Sequence, residues 1–185
     1  MAGLANGHEA MTELLKVRQS RQYRPEPLSE ATIEELLQVA RWSGSSTNSQ
    51  PWHFIAITDR ALLQQLAGVR GDATAWVASA PLAIAIVLDG KNQVSEAFDE
   101  GRVTERLLIA AHYLGLGGGT AWFGDASQQA HAKELLGIPA ELTARSVVVL
   151  GHPTEESGPR RPGAVLGRKP LAEVASRDRY PANKG

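Results

Sequence analysis

The run Leu82–Leu88 most constrains the fold, because seven apolar residues follow one another without a polar interruption. A strand with one solvated face alternates apolar and polar residues, whereas a continuous run is typical of a strand buried on both faces. We therefore expect this strand at the centre of a sheet. Further strands are predicted at residues 54–57, 120–123 and 146–150, and a last short element at residues 171–174.

Helices are predicted between these strands. Ser29 is a favourable N-cap for a helix with a core-facing stripe, and Asp59 can cap the next helix. A longer helix is predicted over residues 98–114, with a solvated or subunit-contacting face at Asp99, Glu100, Arg102, Glu105 and Arg106. Ser127 is the expected cap of a later helix. A short helix is expected from Thr12.

These elements predict one α+β domain over residues 1–185, with a mixed β-sheet flanked by helices and flexible tails at 1–10 and 176–185. The 19 basic and 20 acidic residues give a net charge of −1, which argues against nucleic acid or an anionic membrane as partner. Cysteine is absent, and neither a signal peptide nor an apolar run near the ~20 residues of a membrane helix is seen. A cytoplasmic protein is expected.

The loop over residues 42–54 combines hydroxyl side chains, amides and two indoles between a helix and a strand. Amides offer donors and acceptors to a ring edge, and indoles can wall a flat ligand. Ser, Asn and Pro are also ordinary turn residues, so a plain polar loop and a ligand site are both open.

A basic segment precedes this loop, with Arg18, Arg21 and Arg24 surrounding Ser20 and Tyr23. Such a segment is typical of a solvated helix end, where arginines suit the helix dipole. It is equally typical of a phosphate site, because the planar guanidinium of arginine matches the geometry of a phosphate. The glycines at 115 and 117–119 form either a flexible turn or a backbone that approaches a planar ligand. They follow a helix and lack a Rossmann third glycine, which argues against dinucleotide binding.

No hydrolase elbow, phosphate loop or paired histidine motif is present, and the histidines are isolated in sequence. In cofactor-dependent enzymes the cofactor performs the difficult chemistry, so the absence of these motifs is compatible with such an enzyme. Arginines for a phosphate, and amides and indoles for a heteroaromatic ring, together suit flavin mononucleotide (FMN).

The chain resembles the FMN-dependent nitroreductase family from about Leu14 to Val174. Residues 18–23 resemble the family's N-terminal Arg-x-Ser-x-Arg-x-Phe/Tyr signature, and residues 45–54 closely match its Asn-x-Gln-Pro-Trp loop. The resemblance implies a nitroreductase-like α+β fold and an intertwined homodimer that binds FMN at its interface. No side chain is expected to act as a catalytic nucleophile.

The resemblance also implies roles for individual residues. Arg18 and Ser20 would hold the phosphate and ribityl end, Arg168 would reach the phosphate, and Arg21 would lie near the pyrimidine edge. The first signature is one residue shorter than usual, so either Gln19 or Ser20 faces the cofactor. Gly119 and Thr120 would lie along the ring. The other subunit would supply Ser45, Ser46, Asn48 and Gln50.

By this resemblance, the protein passes hydride from NADH or NADPH through flavin N5 to small planar acceptors, such as nitroaromatics or quinones, in a ping-pong cycle. The alternatives are a flavin-storing protein without turnover, a flavin enzyme of different chemistry such as desaturation or oxygen-dependent flavin breakdown, and an interaction module whose indole-rich loop contacts another protein.

Overall fold

A four-stranded sheet forms the centre of the protein, as seen in a computed structural model that describes residues 7–154 and 167–180. Its strands are β1 (Trp52–Ile57), β2 (Leu82–Leu88), β3 (Gly117–Trp122) and β4 (Ser146–Gly151), in the order β1-β2-β4-β3. All three strand pairs are antiparallel, and a parallel bridge joins Gln19 to Gly118. Every residue of β2 and β4 is buried, which confirms the central position predicted for the apolar run.

Helices cover both faces of the sheet. Along β2, the larger residues Leu82, Ile84 and Ile86 pack towards α2 and α4, while the small Ala83 and Ala85 pack towards α3 and α5. The alternation follows from the strand period of two. The helices are α1 (Gly7–Leu14), α2 (Glu30–Arg41), α3 (Arg60–Gly68), α4 (Gln93–Tyr113), α5 (Ala126–Leu135) and α6 (Leu171–Val174).

Side-chain caps set the starts of four helices, α2 to α5, and Asn92 caps α4. The Ser29 hydroxyl accepts a hydrogen bond from the Thr32 amide at 3.1 Å, and the Asp59 carboxylate accepts one from the Leu62 amide at 2.8 Å, so both predicted caps are confirmed. The predicted cap Ser127 is wrong. Asp125 caps α5, and its carboxylate accepts hydrogen bonds from both the amide and the hydroxyl of Ser127. Helix α1 begins at Gly7 rather than at Thr12.

The glycine segment forms a strand rather than the predicted turn. Only Gly115, with a φ of 69°, makes the turn, while Gly117–Trp122 is β3. The strand lies so close to its neighbours that a Cβ on Gly118 would lie 2.7 Å from a methyl of Leu108. Glycine is therefore needed here for close packing, in addition to its freedom in turns.

Two residues of the predicted solvated face of α4 are buried. Asp99 is 1% exposed and Glu100 is 9% exposed. Glu100 is paired with a cation that lies just before β4: Arg145 donates to Glu96 at 3.0 Å and to Glu100 at 3.2 Å. Asp99 accepts a hydrogen bond from Arg102 at 3.1 Å. A buried carboxylate is tolerated when it is paired in this way. The prediction holds for Arg102, Glu105 and Arg106, which are exposed.

Candidate functional site

The basic segment lies along the outer edge of β3. The amide of Ser20 donates to the carbonyl of Gly118 at 2.7 Å, and the amide of Arg24 donates to the carbonyl of His152 at 2.8 Å. Tyr23 forms a bridge with Pro153, just after β4. The segment over residues 18–24, called here the N-terminal segment, therefore continues the sheet beyond β3 and brings its arginines to the glycines.

Neighbouring side chains of the N-terminal segment point in opposite directions. Ser20 packs against β3, where a Cβ on Gly117 would lie 2.6 Å from the Ser20 hydroxyl oxygen. Gln19 lies instead beside Arg21, whose Nη2 donates to Gln19 Oε1 at 3.4 Å. Of the two alternatives left open by the signature, Gln19 therefore shares the side of Arg21, and Ser20 faces the sheet.

Arg21 lines a cavity of about 360 Å³. The guanidinium carbon of Arg21 lies 5.8 Å from the centre of the Trp76 ring, and the indole N–H of Trp76 donates to the carbonyl of Ala73 at 3.1 Å. Arg21 Nε is buried and has no hydrogen-bond partner among the residues that the structure describes. Buried polar groups are rarely left unpaired. An unpaired donor beside a cavity of this size indicates a ligand that offers an acceptor. The lining residues are Arg21, Gln22, Asp72, Ala73, Ala75, Trp76 and Ser79.

Gly119 and Thr120 of β3 lie next to the cavity at Arg21. A Cβ on Gly119 would lie 2.5 Å from the Ser20 carbonyl oxygen and 3.1 Å from Trp76. Alternate residues of a strand direct their N–H and C=O groups to the same neighbour. Because the carbonyl of Gly118 faces the N-terminal segment, the N–H of Thr120 points to that same outer edge. Gly119 thus adjoins the cavity wall, and Thr120 directs a backbone donor to the edge.

The two arginines predicted to bind phosphate lie at the surface. Arg18 is exposed, and its Nη1 donates to the carbonyls of Leu15 at 2.5 Å and Val17 at 2.7 Å, at the end of α1. Arg168 is exposed in the segment over residues 167–180. Within the described part of the chain, no hydrogen bond joins either arginine to Arg21. Arg160 and Arg161, a second basic pair that suits a phosphate, lie outside the described residues.

The second predicted group of site residues forms a strained loop before β1. Thr47, Asn48 and Gln50 have φ angles of 51°, 56° and 49°, in the left-handed region that non-glycine residues rarely adopt. The Ser45 hydroxyl accepts a hydrogen bond from the Gln50 amide at 2.9 Å and so braces the loop internally. Ser46, Asn48 and Gln50 are exposed. The loop presents its amide side chains to solvent.

Within one chain the two groups lie at opposite corners of the sheet. Gly119 pairs with Val149, which pairs with Ala83, which in turn pairs with Ile57 at the end of β1. The strained loop precedes Trp52, at the other end of β1. Three strand spacings and five residues along β1 separate the two groups by roughly 20 Å. A single chain therefore does not bring the strained loop and the residues around Gly119 to the same bound ligand.

Two aromatic residues at the site occupy positions that the sequence did not predict. Trp76 lies in a short 3-10 helix, Ala75–Ser79, which has no periodic pattern to predict its direction. Tyr23 belongs to the basic segment in sequence, yet it is buried. Its hydroxyl donates to the Ser20 carbonyl at 2.6 Å, and the Val149 carbonyl lies 3.2 Å away. Burial raises the pKa of the Tyr23 hydroxyl, which therefore stays a neutral donor that fixes the segment.

The described residues place limits on other kinds of site. They include no group of three or more residues able to hold a metal ion. None of the helices among them has the length and apolar character required to cross a bilayer.

Comparison with known proteins places the chain in a family. Residues 15–74 match the nitroreductase family. A candidate NADH dehydrogenase/NAD(P)H nitroreductase of Archaeoglobus fulgidus is 34% identical over 160 residues, covering 79% of this chain and 88% of the relative. A protein of the same description from Methanothermobacter thermautotrophicus is 32% identical over 155 residues, covering 80% of each.

Solved structures agree in fold. A candidate nitroreductase from Desulfovibrio desulfuricans, solved in complex with FMN, superposes with a TM-score of 0.77 at 27% identity and covers 96% of this chain and 100% of its own. The structure of Bacillus megaterium NfrA2 superposes with a TM-score of 0.80 at 26% identity and covers 95% of this chain and 76% of its own. From these relatives, the chain belongs to the nitroreductase family.

Proposed function

We propose that this protein is an FMN-dependent NAD(P)H oxidoreductase that reduces small planar acceptors such as nitroaromatics or quinones. The observation that carries the proposal is the buried Nε of Arg21, which has no hydrogen-bond partner among the described residues and lies at a cavity walled by Trp76. The chain is a member of the nitroreductase family. The donor and the indole suit a flat ring with acceptor atoms on its edge. A relative that binds FMN supports the same cofactor.

The chain's own residues hold and tune the cofactor. Bound FMN would supply the hydride chemistry, accepting hydride from NADH or NADPH and returning it to the second substrate. Arg21 stabilises negative charge at the pyrimidine edge, because a fixed cation acts strongly where water is excluded. Gly119 allows the ring to approach the backbone, and the outward N–H of Thr120 offers a hydrogen bond. Gln19, rather than Ser20, lies with Arg21 on the cofactor side.

The proposed site needs two chains. The strained loop with Asn48 and Gln50 lies roughly 20 Å from Gly119 within one chain. A second copy supplies that loop, so that Ser45 and Ser46 brace it while Asn48 and Gln50 contact the ring. This arrangement agrees with the homodimer that the loop motif implies. Light scattering on flavin-loaded protein is expected to give the mass of two chains, and a flavin-loaded monomer would contradict it.

Arg18 is proposed to bind the phosphate together with Arg168. Its guanidinium is exposed and bonded only to carbonyls in the described structure, so it can turn towards an anion. A charge-assisted hydrogen bond contributes about 1.5–3 kcal/mol, and Arg18→Ala should therefore weaken FMN binding by roughly 10- to 100-fold. Flavin content and FMN titration of the apoprotein measure this. Arg24→Ala, another exposed arginine of the same segment, is the matched control. Full flavin content in Arg18→Ala would show that the phosphate lies elsewhere.

The visible absorption spectrum of the purified protein tests the function. Flavin bands are expected, and anaerobic addition of NADH or NADPH should bleach them, which also identifies the donor. Quinone or nitroaromatic should then restore the bands. Bands that persist with both nucleotides would favour a flavin-storing protein. A protein without bands after reconstitution with FMN would contradict the proposal and favour an interaction module.

A further inference from the structure

The residues of the strained loop do not by themselves favour the backbone conformation that the loop adopts. Three of its residues, Thr47, Asn48 and Gln50, adopt left-handed angles, and Thr47 is β-branched, which makes that conformation particularly unfavourable. Strained backbone of this kind persists only when surrounding structure enforces it. The internal hydrogen bond from the Gln50 amide to Ser45 closes the loop, but it does not fix the loop to the rest of the fold.

Helix α4 supplies that attachment through three charged side chains. Nη1 of Arg106 donates to the Trp42 carbonyl at 2.6 Å, and Nη1 of Arg102 lies 3.4 Å from the Gly44 carbonyl oxygen. The amide of Ser46 donates to Asp99 Oδ2 at 3.4 Å. Alternate loop residues are thus held by α4 residues that lie about one turn apart. We call Asp99, Arg102 and Arg106 the α4 clamp.

The clamp is itself held in place. Asp99 is 1% exposed, and its second carboxylate oxygen accepts a hydrogen bond from Arg102 at 3.1 Å. Arg102 therefore joins Asp99 to the loop. A buried carboxylate with a fixed partner has little freedom to move, so it can transmit the position of α4 to the loop backbone. None of the three residues belongs to the cavity at Arg21.

We propose that Asp99, Arg102 and Arg106 are positioning residues, which hold the strained loop so that Asn48 and Gln50 reach the cofactor site of a second copy. The inference rests on the proposed function for its second part, because it assumes a flavin for the loop to contact. The first part, that the clamp sets the loop conformation, depends only on contacts within one chain. The two parts can therefore be measured separately.

Hydrogen exchange of the apoprotein tests the first part. Asp99→Asn and Arg106→Ala should each speed exchange of the amides at residues 46–50 by about tenfold, and the double variant by more, while β4 exchanges as in the wild type. Arg106→Lys, which keeps a donor, should restore most of the protection. Glu134→Gln, an exposed carboxylate on α5, is the control for loss of charge. Wild-type exchange at residues 46–50 in every clamp variant would overturn the inference.

FMN titration and the visible circular dichroism of bound FMN test the second part. The clamp variants should bind FMN about tenfold more weakly and change the dichroism of the flavin bands, which a general loss of stability would not alter. Faster loop exchange with unchanged affinity and dichroism would overturn the link to the cofactor. If the wild-type protein takes up no FMN, the proposed function and the link to the cofactor are both overturned. If the wild type binds FMN and the clamp variants show wild-type exchange at residues 46–50, only the role of the clamp is overturned.

Discussion

Replacing Gly119 by alanine should lower the free energy of unfolding by about 1–3 kcal/mol and weaken FMN binding at least tenfold. The new Cβ would lie 2.5 Å from the carbonyl oxygen of Ser20, which real Cβ atoms do not tolerate. That oxygen also accepts the hydrogen bond of the buried Tyr23 hydroxyl. The N-terminal segment must therefore move, and Arg21 moves with it.

Urea unfolding and FMN titration of Gly119→Ala measure the two effects. Gly68→Ala is the matched control, because a Cβ on Gly68 would have no atom of the described residues within 4 Å and that glycine ends helix α3. We expect the control to keep wild-type FMN affinity and to be at least as stable, since alanine is the better helix former. Wild-type FMN affinity in Gly119→Ala would show that the β3 edge is not part of the cofactor site.

Arg145→Met should destabilise the protein by about 3–5 kcal/mol, the usual cost of leaving a buried charge without its partner. The Arg145 side chain is 20% exposed, and it pairs with Glu96 and Glu100, whose side chains are 2% and 12% exposed. Glu96 Oε1 already has no hydrogen-bond partner among the described residues. Removal of the cation leaves two neighbouring carboxylates in a poorly solvated place.

Urea unfolding of Arg145→Met measures this loss. Arg41→Met, at an exposed arginine of α2, should change stability by less than about 0.5 kcal/mol. The triple variant in which Glu96 and Glu100 also become Gln should recover much of the loss, because the unpaired charges are then removed. A loss below about 1 kcal/mol in the single variant would mean that water reaches these carboxylates in the folded protein.

Much of the fold could be predicted from local patterns. The continuous run of β2 and the caps at Ser29 and Asp59 depend only on neighbours in sequence. Burial of Asp99 and Glu100 could not be predicted, because their environment includes residues from other elements, such as Arg145 for Glu100. For the same reason, glycines that typically mark a turn form β3, where neighbouring elements leave no room for side chains.

The candidate site could be predicted in part. The structure brings Gln19, Arg21 and Gly119 to one region, and it sets the strained loop elsewhere on the same chain. Trp76 was missed, since a single indole in a 3-10 helix has no periodicity to interpret. The side of the N-terminal segment on which Gln19 lies depends on the register with β3, which spacing alone does not contain. The roles of Arg18 and Arg168 stay predictions.

The position of the N-terminal segment also bears on association between molecules. An uncovered strand at the edge of a sheet offers unpaired amides and carbonyls to other chains, and a flat strand without side chains is a particularly good template for aggregation. The first half of β3 is such an edge, with glycine at 117, 118 and 119, whereas Thr120, Ala121 and Trp122 carry side chains. The N-terminal segment covers it through the Ser20–Gly118 hydrogen bond. Changes in this segment that loosen its hold on β3 would therefore alter solubility as well as cofactor affinity.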